Sequence, residues 1–469
     1  MLALVLATAL KSAPVTADPL VRMRTDFGDF FINLTPENAP LTVENFLTYV
    51  NAGAYDDSFF HRSARNPDGS GFVLQGGEAF WPAGAADFLR IPEIAPVMNE
   101  FNVSNTRGTV ALAKLGGDPN SGTNNFFINL SDNGANLDNQ NGGFTVFGTI
   151  NSAGMRVIDT IAALPVANIP DPAIPNQTAF TDFPIADPQA TIFNRNAVVL
   201  ITSAVEFNSV GAPAAAVLPA SRSVTVGDAA TAFATVINAS DGLAASCTMA
   251  PSTELAANFF YRRSNPSTNQ PFGANNPQFD IDPGSSVSLI FTLTPTAAIA
   301  PTTVEFEYAC GNATSAAALT TGVNTFDLAA STTPIADVVA LAGTSTNDGI
   351  NDIPNAVGSG AFVVATFNLG AEEEITVAAD TGSANLPLDL FVCPTDADSG
   401  DCLPGQPPAL SASLSLATNQ TSTFAVFAQL RNASDTVGFD PANNRAFVRF
   451  RNAAGDLRGS TSVALRTVP

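Results

Sequence analysis

The first 200 residues alternate apolar and polar positions in short runs, interrupted by two stretches of helical spacing. Residues 21–34 alternate on both sides of an Asp-Phe-Gly-Asp turn, which predicts a β-hairpin. Apolar residues then recur three and four positions apart from Val43 to Val50, shortly after a proline, so a helix is expected there. Gly53 is suited to end that helix because glycine readily takes the left-handed conformation.

Short strands and one more helix are predicted for the rest of this region. Apolar residues share one side of a predicted helix at 154–164, which Pro165 stops. Residues 165–192 are rich in Pro, Asp and Asn, and we expect an irregular excursion there. The predicted strands are 107–113, 126–130, 144–148 and 196–207.

The pattern changes after residue 207. An Ala- and Pro-rich stretch within 208–220 is typical of a linker. Beyond it, short strands recur between turn-rich segments, which favours β-sandwich-like modules at 221–331 and 332–469. The chain is therefore predicted to be mainly β, with a first domain at 18–207. The strands expected in the two modules are 223–226, 232–238, 287–294, 304–310, 325–329, 361–369, 375–379, 388–392, 423–430, 446–451 and 460–466.

Composition argues against two classes of function. The 469 residues carry a net charge of −23, and because so acidic a surface repels phosphate backbones, no nucleic-acid partner is expected. One histidine and four cysteines are poor material for a zinc site, so no metal or cofactor is predicted. A Ser-His-Asp mechanism would have to use His61.

Residues 1–17 have the composition of a secretory signal peptide. Leu2 to Leu10 form an apolar core, and Val15-Thr16-Ala17 supplies small residues for cleavage before Asp18. The alternative is a disordered segment or a buried N-terminal strand. No other apolar run approaches the roughly 20 residues of a membrane span. The sequence therefore predicts a periplasmic or secreted protein with no membrane span.

All four cysteines lie in the second half of the chain. In an exported protein we expect Cys247 to pair with Cys310, as a cross-link between the sheets of the first module. Cys393 is expected to pair with Cys402 across a short acidic loop. Two alternatives stay open. In one, Cys247 and Cys310 are buried free thiols and form no disulfide. In the other, the acidic loop between Cys393 and Cys402 binds a metal, although its aspartates lack the order of an EF-hand.

Residues 59–78, FFHRSARNPDGSGFVLQGGE, hold the strongest candidate chemistry, because an arginine stands beside aromatics and a strand with one glutamine follows. The chain also contains, in this order around them, TDFGDFFINL, APLTVENFLTYVNAGAYDDSFFHR, NTRGTVALA, NNFFINL, LDNQNGGFTVFG and GMRVIDTI. With these words, residues 20–207 resemble a bacterial-style cyclophilin-type peptidyl-prolyl cis-trans isomerase. The resemblance implies a closed eight-stranded antiparallel barrel with a helix over each end, which fits the elements predicted above.

The resemblance also implies a site. Arg62 matches the catalytic arginine, and Gln75 matches the glutamine that binds the substrate carbonyl and helps to orient the arginine. From the residues alone, each apolar member is equally well explained as a core residue, and His61 as a structural group. The implied substrate-binding residues are Phe72, Val73, Phe127 and Leu137 in the proline pocket, Phe144 in place of a histidine, Asn125 in place of a glutamine, and Ala113 and Lys114 on an edge whose backbone binds the peptide.

Three departures from the family pattern bear on this site. The segment 63–71, SARNPDGSG, is longer and more polar than usual, so its course decides whether Arg62 faces the pocket. Val73 replaces a bulkier methionine and makes the pocket floor shallower. Asn136 stands where many members have an aromatic residue, which removes part of one wall.

Catalysis of this kind needs neither a nucleophile nor a cofactor. Amide resonance sets a barrier of about 20 kcal/mol for the X-Pro bond. A donor that bonds the proline nitrogen only in the twisted state lowers that barrier. We therefore expect Arg62 to act in this way on X-Pro bonds in proline-containing segments of exported client proteins. The alternative is a weakly active or inactive proline-peptide-binding module of a secreted or surface-associated protein, with a cell-surface or envelope partner for the β modules.

Overall fold

The computed structural model describes residues 19–170, 178–187 and 193–469. The predicted signal peptide, 1–17, lies outside these ranges. Contacts divide the chain into two compact units, Met1–Ser209 and Val210–Pro469, and each is described by itself. Among the described residues, no helix is long and apolar enough to cross a membrane.

In its described part, the first unit consists of short strands and three α-helices. The predicted hairpin and first helix are present, and Gly53 follows that helix at φ +67°. The helices are α1 (Pro40–Asn51), α2 (Gly134–Leu137) and α3 (Ser152–Ala162). The strands are β1 (Leu20–Thr25), β2 (Gly28–Leu34), β3 (Ser58–Phe59), β4 (Arg62–Arg65), β5 (Gly71–Gly76), β6 (Ala79–Phe80), β7 (Leu89–Arg90), β8 (Thr109–Leu112), β9 (Phe126–Asn129), β10 (Val146–Thr149), β11 (Val166–Pro170), β12 (Thr178–Pro184) and β13 (Leu200–Phe207).

One antiparallel ladder organises the first unit. Its order is β4–β5–β9–β8–β10–β2–β1–β13–β3–β6–β7, and β3 and β4 are consecutive halves of one chain segment. Between these halves, the Phe60 N–H donates to the Val199 carbonyl and the His61 N–H donates to the Gln75 carbonyl. Residues 58–65 therefore provide both the first strand of the ladder, β4, and β3, which lies third from its other end.

The two longer helices bury apolar faces in the main core of this unit. Phe46 of α1 meets the rings of Phe126 and Phe147 at centroid distances of 5.8 and 5.0 Å. Ile158 and Ile161 of α3 are fully buried in the same core. Because successive strand residues point to opposite faces, the residues that fill this core leave their neighbours on the other face of the ladder.

The irregular excursion expected at 165–192 is wrong for its described part. There, β11 and β12 form an antiparallel hairpin, and β12 packs against β4. The hairpin buries Phe180 and Phe183 in a second aromatic cluster with Phe59 and Trp81. The turn-favouring composition misled the prediction, because this strand is stabilised by tertiary aromatic packing and not by an alternating pattern.

The second unit, all of it described, contains two apolar cores built from strands. The first eleven strands form three sheets around one core, and the last nine form two sheets around the other. The mainly β prediction is confirmed for this half. The strands are β14 (Ala214–Leu218), β15 (Ser221–Thr225), β16 (Ala230–Ile237), β17 (Ala244–Pro251), β18 (Ala257–Ser264), β19 (Pro271–Phe272), β20 (Phe279–Ile281), β21 (Ser286–Pro295), β22 (Ile299–Val304), β23 (Phe306–Ala309), β24 (Phe326–Ser331), β25 (Val338–Gly343), β26 (Ile350–Pro354), β27 (Ser359–Asn368), β28 (Glu373–Asp380), β29 (Leu388–Thr395), β30 (Ser411–Leu416), β31 (Thr421–Leu430), β32 (Arg445–Asn452) and β33 (Leu457–Val468).

The linker predicted at 208–220 is wrong in its central part. There β14 pairs along its whole length with β16, and Val217 is buried in the first core of the unit. Small residues that alternate between buried and exposed positions suit an edge strand as well as a linker, and the pairing partner decides between them. The compact unit therefore begins at Val210 and not at residue 221.

Both predicted disulfides are present, Cys247–Cys310 and Cys393–Cys402. Cys247 lies on β17, and Cys310 directly follows β23, the strand that pairs with β17. The first disulfide therefore joins neighbouring strands of one sheet, and the expectation that it cross-links two sheets is wrong. In the loop closed by the second disulfide, Asp396 accepts two backbone N–H groups, as the side chain of a turn residue does.

A buried ion pair connects the two cores of this unit. Arg222 of β15 donates through Nε and Nη2 to Asp337, just before β25, at 2.9 and 2.8 Å. The two side chains are only 13% and 5% exposed. The Asp337 carboxylate also accepts the backbone N–H of Ser223 at 2.9 Å. The two modules predicted from the sequence are thus joined by satisfied polar groups within one compact unit.

Candidate active site

An apolar cluster lies on the face of the ladder opposite the main core. Along β5, Leu74 belongs to the main core, whereas Val73 points to the other face. Along β9, Ile128 and Phe127 divide in the same way, as strand alternation requires. The outward residues of neighbouring strands meet there. The buried members of this outer cluster are Ala64, Val73, Ala111, Phe127, Leu137 and Val146.

The β4–β5 hairpin brings Arg62 to the edge of the outer cluster. Arg62 lies opposite Gln75 in regular register. The register shifts only after Ala64, and the extra polar residues form a hydrogen-bonded turn at 66–70. The long segment noted in the sequence is therefore accommodated at the hairpin tip, and it leaves Arg62 on the face that carries the cluster.

A cavity of about 320 Å³ opens between Arg62 and the outer cluster. Its apolar residues are well ordered by packing: Phe127 and Phe144 meet edge to face, with centroids 5.5 Å apart. Asn136 and Gln140 complete the rim. The cavity thus combines an apolar floor with a cation and amides at its edge. The predicted site residues that line it are Arg62, Phe72, Val73, Gln75, Ala113, Lys114, Phe127, Leu137 and Phe144.

The Arg62 guanidinium is held only lightly. Its side chain is 40% exposed, and its Nε lies 3.8 Å from Oδ2 of Asp182 on β12. That distance is an ion-pair contact and is too long for a hydrogen bond. Arginine carries a permanent charge and a planar array of five donors, so this group can offer N–H bonds to a molecule in the cavity.

Lys114 closes the cavity on another side. Its Nζ donates to the carbonyls of Asn141 and Gly143, at 3.0 and 2.5 Å, and lies 4.9 Å from the centroid of Phe144. Burial lowers the pKa of this ammonium group. The Lys114 side chain therefore connects the loop at 141–143 and the ring of Phe144 to the edge of the cavity. Ala113 and Lys114 lie just after β8, so their predicted role through backbone bonds to a peptide stays a prediction.

A second cavity, of about 480 Å³, shares Gln75, Ala113 and Lys114 with the first. Asn125, predicted to bind substrate, lines this second cavity. Its Nδ2 donates to Asn124 at 3.0 Å, while its Oδ1 is buried and has no hydrogen-bond partner among the described residues. A buried acceptor in this state is suited to receive a hydrogen bond from a bound molecule.

His61 is buried and is suited to a structural role rather than to general-base catalysis. Its ring is 4% exposed, and burial, followed by the charges of Arg90 and Arg62, lowers its pKa to about 3. The 3.1 Å contact between His61 Nε2 and Glu78 is therefore a hydrogen bond donated by a neutral ring at neutral pH. The ring also packs 5.7 Å from Phe180, which ties β4 to the β11–β12 hairpin.

Two residues escaped the sequence prediction: one lines the cavity, and the other contacts Arg62. Gln140 follows the short helix α2, four residues after Asn136, and its amide bonds the Asn136 side chain. An i, i+4 amide pair in a polar loop was the available signal for this contact. Asp182 gave no signal, because it lies in the stretch expected to be irregular, 120 positions from Arg62.

The chain is similar to known proteins of one family. Residues 20–180 match the family described as cyclophilin type peptidyl-prolyl cis-trans isomerase/CLD. A peptidyl-prolyl cis-trans isomerase of Acinetobacter baylyi is 36% identical over 168 residues, which are 35% of this chain and 83% of that protein. One of Streptomyces antibioticus is 40% identical over 148 residues, 30% of this chain and 81% of its own. A crystal structure of a Cryptosporidium parvum cyclophilin covers 41% of this chain and 98% of its own, with 22% identity and a TM-score of 0.29.

Proposed function

Because the chain belongs to the cyclophilin-type peptidyl-prolyl cis-trans isomerase family and is an isomerase of X-Pro bonds, we propose that Arg62 lowers the barrier by bonding the proline nitrogen of the twisted amide. One observation carries this proposal: Arg62 lines the same cavity as Phe72, Phe127 and Leu137. A proline ring on the apolar floor would bring its nitrogen to the cavity edge, within reach of the guanidinium.

The chemistry needs only differential binding. In the planar amide the nitrogen lone pair is delocalised, so the nitrogen accepts no strong hydrogen bond. When the amide twists, the nitrogen becomes pyramidal and its lone pair is localised. The N–H donors of Arg62 then gain a bond that they lack in the ground state, which stabilises the transition state selectively. Gln75, opposite Arg62 on β5, is suited to bond the substrate carbonyl.

The test is a cis–trans exchange assay on a proline peptide with the full chain. Arg62→Ala should lower kcat and kcat/KM together by roughly 10²- to 10³-fold, as expected when a transition-state donor is removed. Arg65→Ala is the matched control: it lies on the same strand, but its guanidinium donates to the Ala162 carbonyl at 3.0 Å. Its activity should stay near that of wild type.

The same assay separates the enzyme from the alternative of a peptide-binding module. If Arg62→Ala and wild type give equal rates, the proposed mechanism is wrong. If both are inactive while proline peptides still bind, the domain recognises peptides without turning them over.

We further propose that the client proteins are exported and that the protein works in the periplasm or outside the cell. Two observations support this: the signal-like sequence at 1–17 and the two disulfides of the second unit, since disulfides persist in oxidising compartments. Cell fractionation, with thiol mapping of the recovered protein, is the test. Recovery in the cytoplasm with four free thiols would refute the proposal.

A further inference from the structure

The β11–β12 hairpin directs one carboxylate towards Arg62. On β11, Ala167 and Ile169 lie opposite Phe183 and Phe180 of β12. One residue of β11 therefore faces two residues of β12, which makes a β-bulge at Asp182. Bulges bend a strand and redirect a side chain, and they are common beside active sites.

The backbone at the bulge is fixed in an uncommon conformation. Asp182 has φ +51°, in the left-handed region that aspartate and asparagine tolerate better than most residues. Its N–H donates to Oδ1 of Asn168 across the hairpin at 3.2 Å. On either side, Phe180 and Phe183 are buried in the aromatic cluster around Phe59. The position of Asp182 is thus set by packing and hydrogen bonding on both sides.

The carboxylate meets Arg62 on one particular edge of the guanidinium. The closest approach is between Oδ2 and Nε, at 3.8 Å, with side-chain exposures of 47% and 40%. A contact at Nε leaves the two terminal nitrogens available to a molecule in the cavity. At this distance the carboxylate is an electrostatic partner of the guanidinium and takes up none of its N–H donors.

We propose that Asp182 is a positioning residue for Arg62 in isomerisation. The inference rests on the proposed role of Arg62. It extends that role to a residue just past the segment matched by the family model, 20–180. The carboxylate holds the guanidinium over the cavity, so part of the cost of ordering a long, half-exposed side chain is met before substrate binds.

The first experiment compares two aspartate variants in the same exchange assay. Asp182→Asn removes the charge, keeps the shape of the side chain and tolerates the left-handed backbone. We expect kcat to fall about two- to fivefold, the range of an exposed ion pair, with KM unchanged. Asp159→Asn is the matched control, because Asp159 forms an equally exposed pair with Arg107 in the same unit, and its kcat should not change.

Ionic strength gives a readout that a purely structural role would not move. Salt screens charges at the surface, so the wild-type kcat should decline towards that of Asp182→Asn between about 0.05 and 1 M salt. Asp182→Asn itself should stay flat. Asp182→Gly, which also fits the left-handed backbone, should behave like Asp182→Asn. Thermal unfolding followed by the fluorescence of Trp81, in the same aromatic cluster, checks that the hairpin remains folded in each variant.

The double variant Arg62→Ala/Asp182→Asn separates the two proposals. If Asp182 acts through Arg62, the double variant is no slower than Arg62→Ala alone. Equal additional losses in both backgrounds would overturn the inference, as would an Asp182→Asn rate equal to wild type. A faster Asp182→Asn enzyme would also overturn it, because the carboxylate would then compete with substrate for the guanidinium. Failure of the proposed function looks different: Arg62→Ala itself would keep wild-type activity.

Discussion

The two compact units use arginine–carboxylate pairs in opposite ways. In the first unit, Arg62 and Asp182 are 40% and 47% exposed and approach to 3.8 Å. In the second, Arg222 and Asp337 are 13% and 5% exposed and make two short contacts. Arg222 also donates to the Thr231 carbonyl, and Asp337 also accepts the Ser223 N–H. The same type of ion pair is exposed and long beside the cavity, whereas it is buried and short between the two cores.

The physical reason lies in what each environment permits. A buried charge without a partner is costly, so a pair such as Arg222–Asp337 must be satisfied on all sides, and it then has no freedom to respond to a ligand. An exposed pair contributes little to stability, and its guanidinium can still exchange one partner for another. An arginine that must bond a transient species is therefore placed beside the cavity and left partly exposed. An arginine that joins two cores is buried, and its hydrogen bonds are all made within the protein.

The largest effect is expected when the buried pair of Arg222 and Asp337 is broken. Asp337→Ala leaves Arg222 buried without its partner, so we expect a loss of about 3–5 kcal/mol in the unfolding free energy of the second unit. Circular dichroism during urea denaturation measures that transition. The chain has one tryptophan, Trp81, in the first unit, so its fluorescence follows that unit and should show an unchanged midpoint.

Asp389→Ala is the control for this prediction. Asp389 pairs with Arg431 in the same unit, but both side chains are 50% exposed. The loss should stay below about 1 kcal/mol. Equal losses for the two variants would mean that burial does not distinguish the pairs.

A smaller difference is expected between the two disulfides of the second unit. Cys247 and Cys310 are 63 positions apart, and Cys393 and Cys402 are 9 apart. Because loop-closure entropy grows with loop length, replacing the first pair with alanine should cost about 2 kcal/mol more than replacing the second. Denaturant midpoints of the two double variants measure this, with isomerase activity as the control that should not move. A larger loss from the short loop would contradict the entropic explanation.

An effect of similar size, spread over two pH units, concerns the acid stability of the first unit. His61 has a pKa of about 3 in the folded state against 6.5 for an ordinary histidine. Between these values the unfolded state binds a proton that the folded state excludes, so stability falls as pH falls from 6.5 towards 3. The slope is at most about 1.4 kcal/mol per pH unit. Above about pH 4.5, where carboxylates stay ionised, this histidine should dominate the change.

Trp81 fluorescence during denaturation at several pH values measures this slope. His61→Gln should flatten it between pH 6.5 and about 4.5. The second unit has no histidine and serves as the internal reference, since its transition should vary less in this window. An identical slope in wild type and His61→Gln would show that other groups cause the acid sensitivity.

Much of the candidate site was predictable because it is built on short, regular elements. Arg62, Phe72 and Gln75 belong to one hairpin, and strand alternation alone assigns their faces once the register is known. Phe127 and Leu137 were predicted because they lie in the motifs NNFFINL and LDNQNGGFTVFG. The length of segment 63–71 left the position of Arg62 open. Only the observed register shift after Ala64 shows that the added residues affect the hairpin tip.

The errors share one cause. The stretch at 165–192 and the stretch at 208–220 both have the composition of loops, yet each contains strands. Their strands are stabilised by partners outside the segment itself: aromatic rings for β12 and the strand β16 for β14. Local propensity cannot report such partners. The expectation that Cys247 cross-links two sheets was wrong for a similar reason. The sequence does not show which strands become neighbours, and here the strands next to the two cysteines pair in one sheet.

The sequence by itself determined the mainly β class, the first hairpin and the α1 helix, because each depends on local periodicity. It also determined the motif residues that line the cavity, because these lie in short contiguous sequence motifs. The tertiary structure alone decided where Asn125 lies, what buries His61 and which carboxylate approaches Arg62. These contacts join positions far apart in the chain, and here they depend on a bulge, a buried aromatic cluster and a shared cavity edge. No local pattern encodes such geometry, because only packing fixes it.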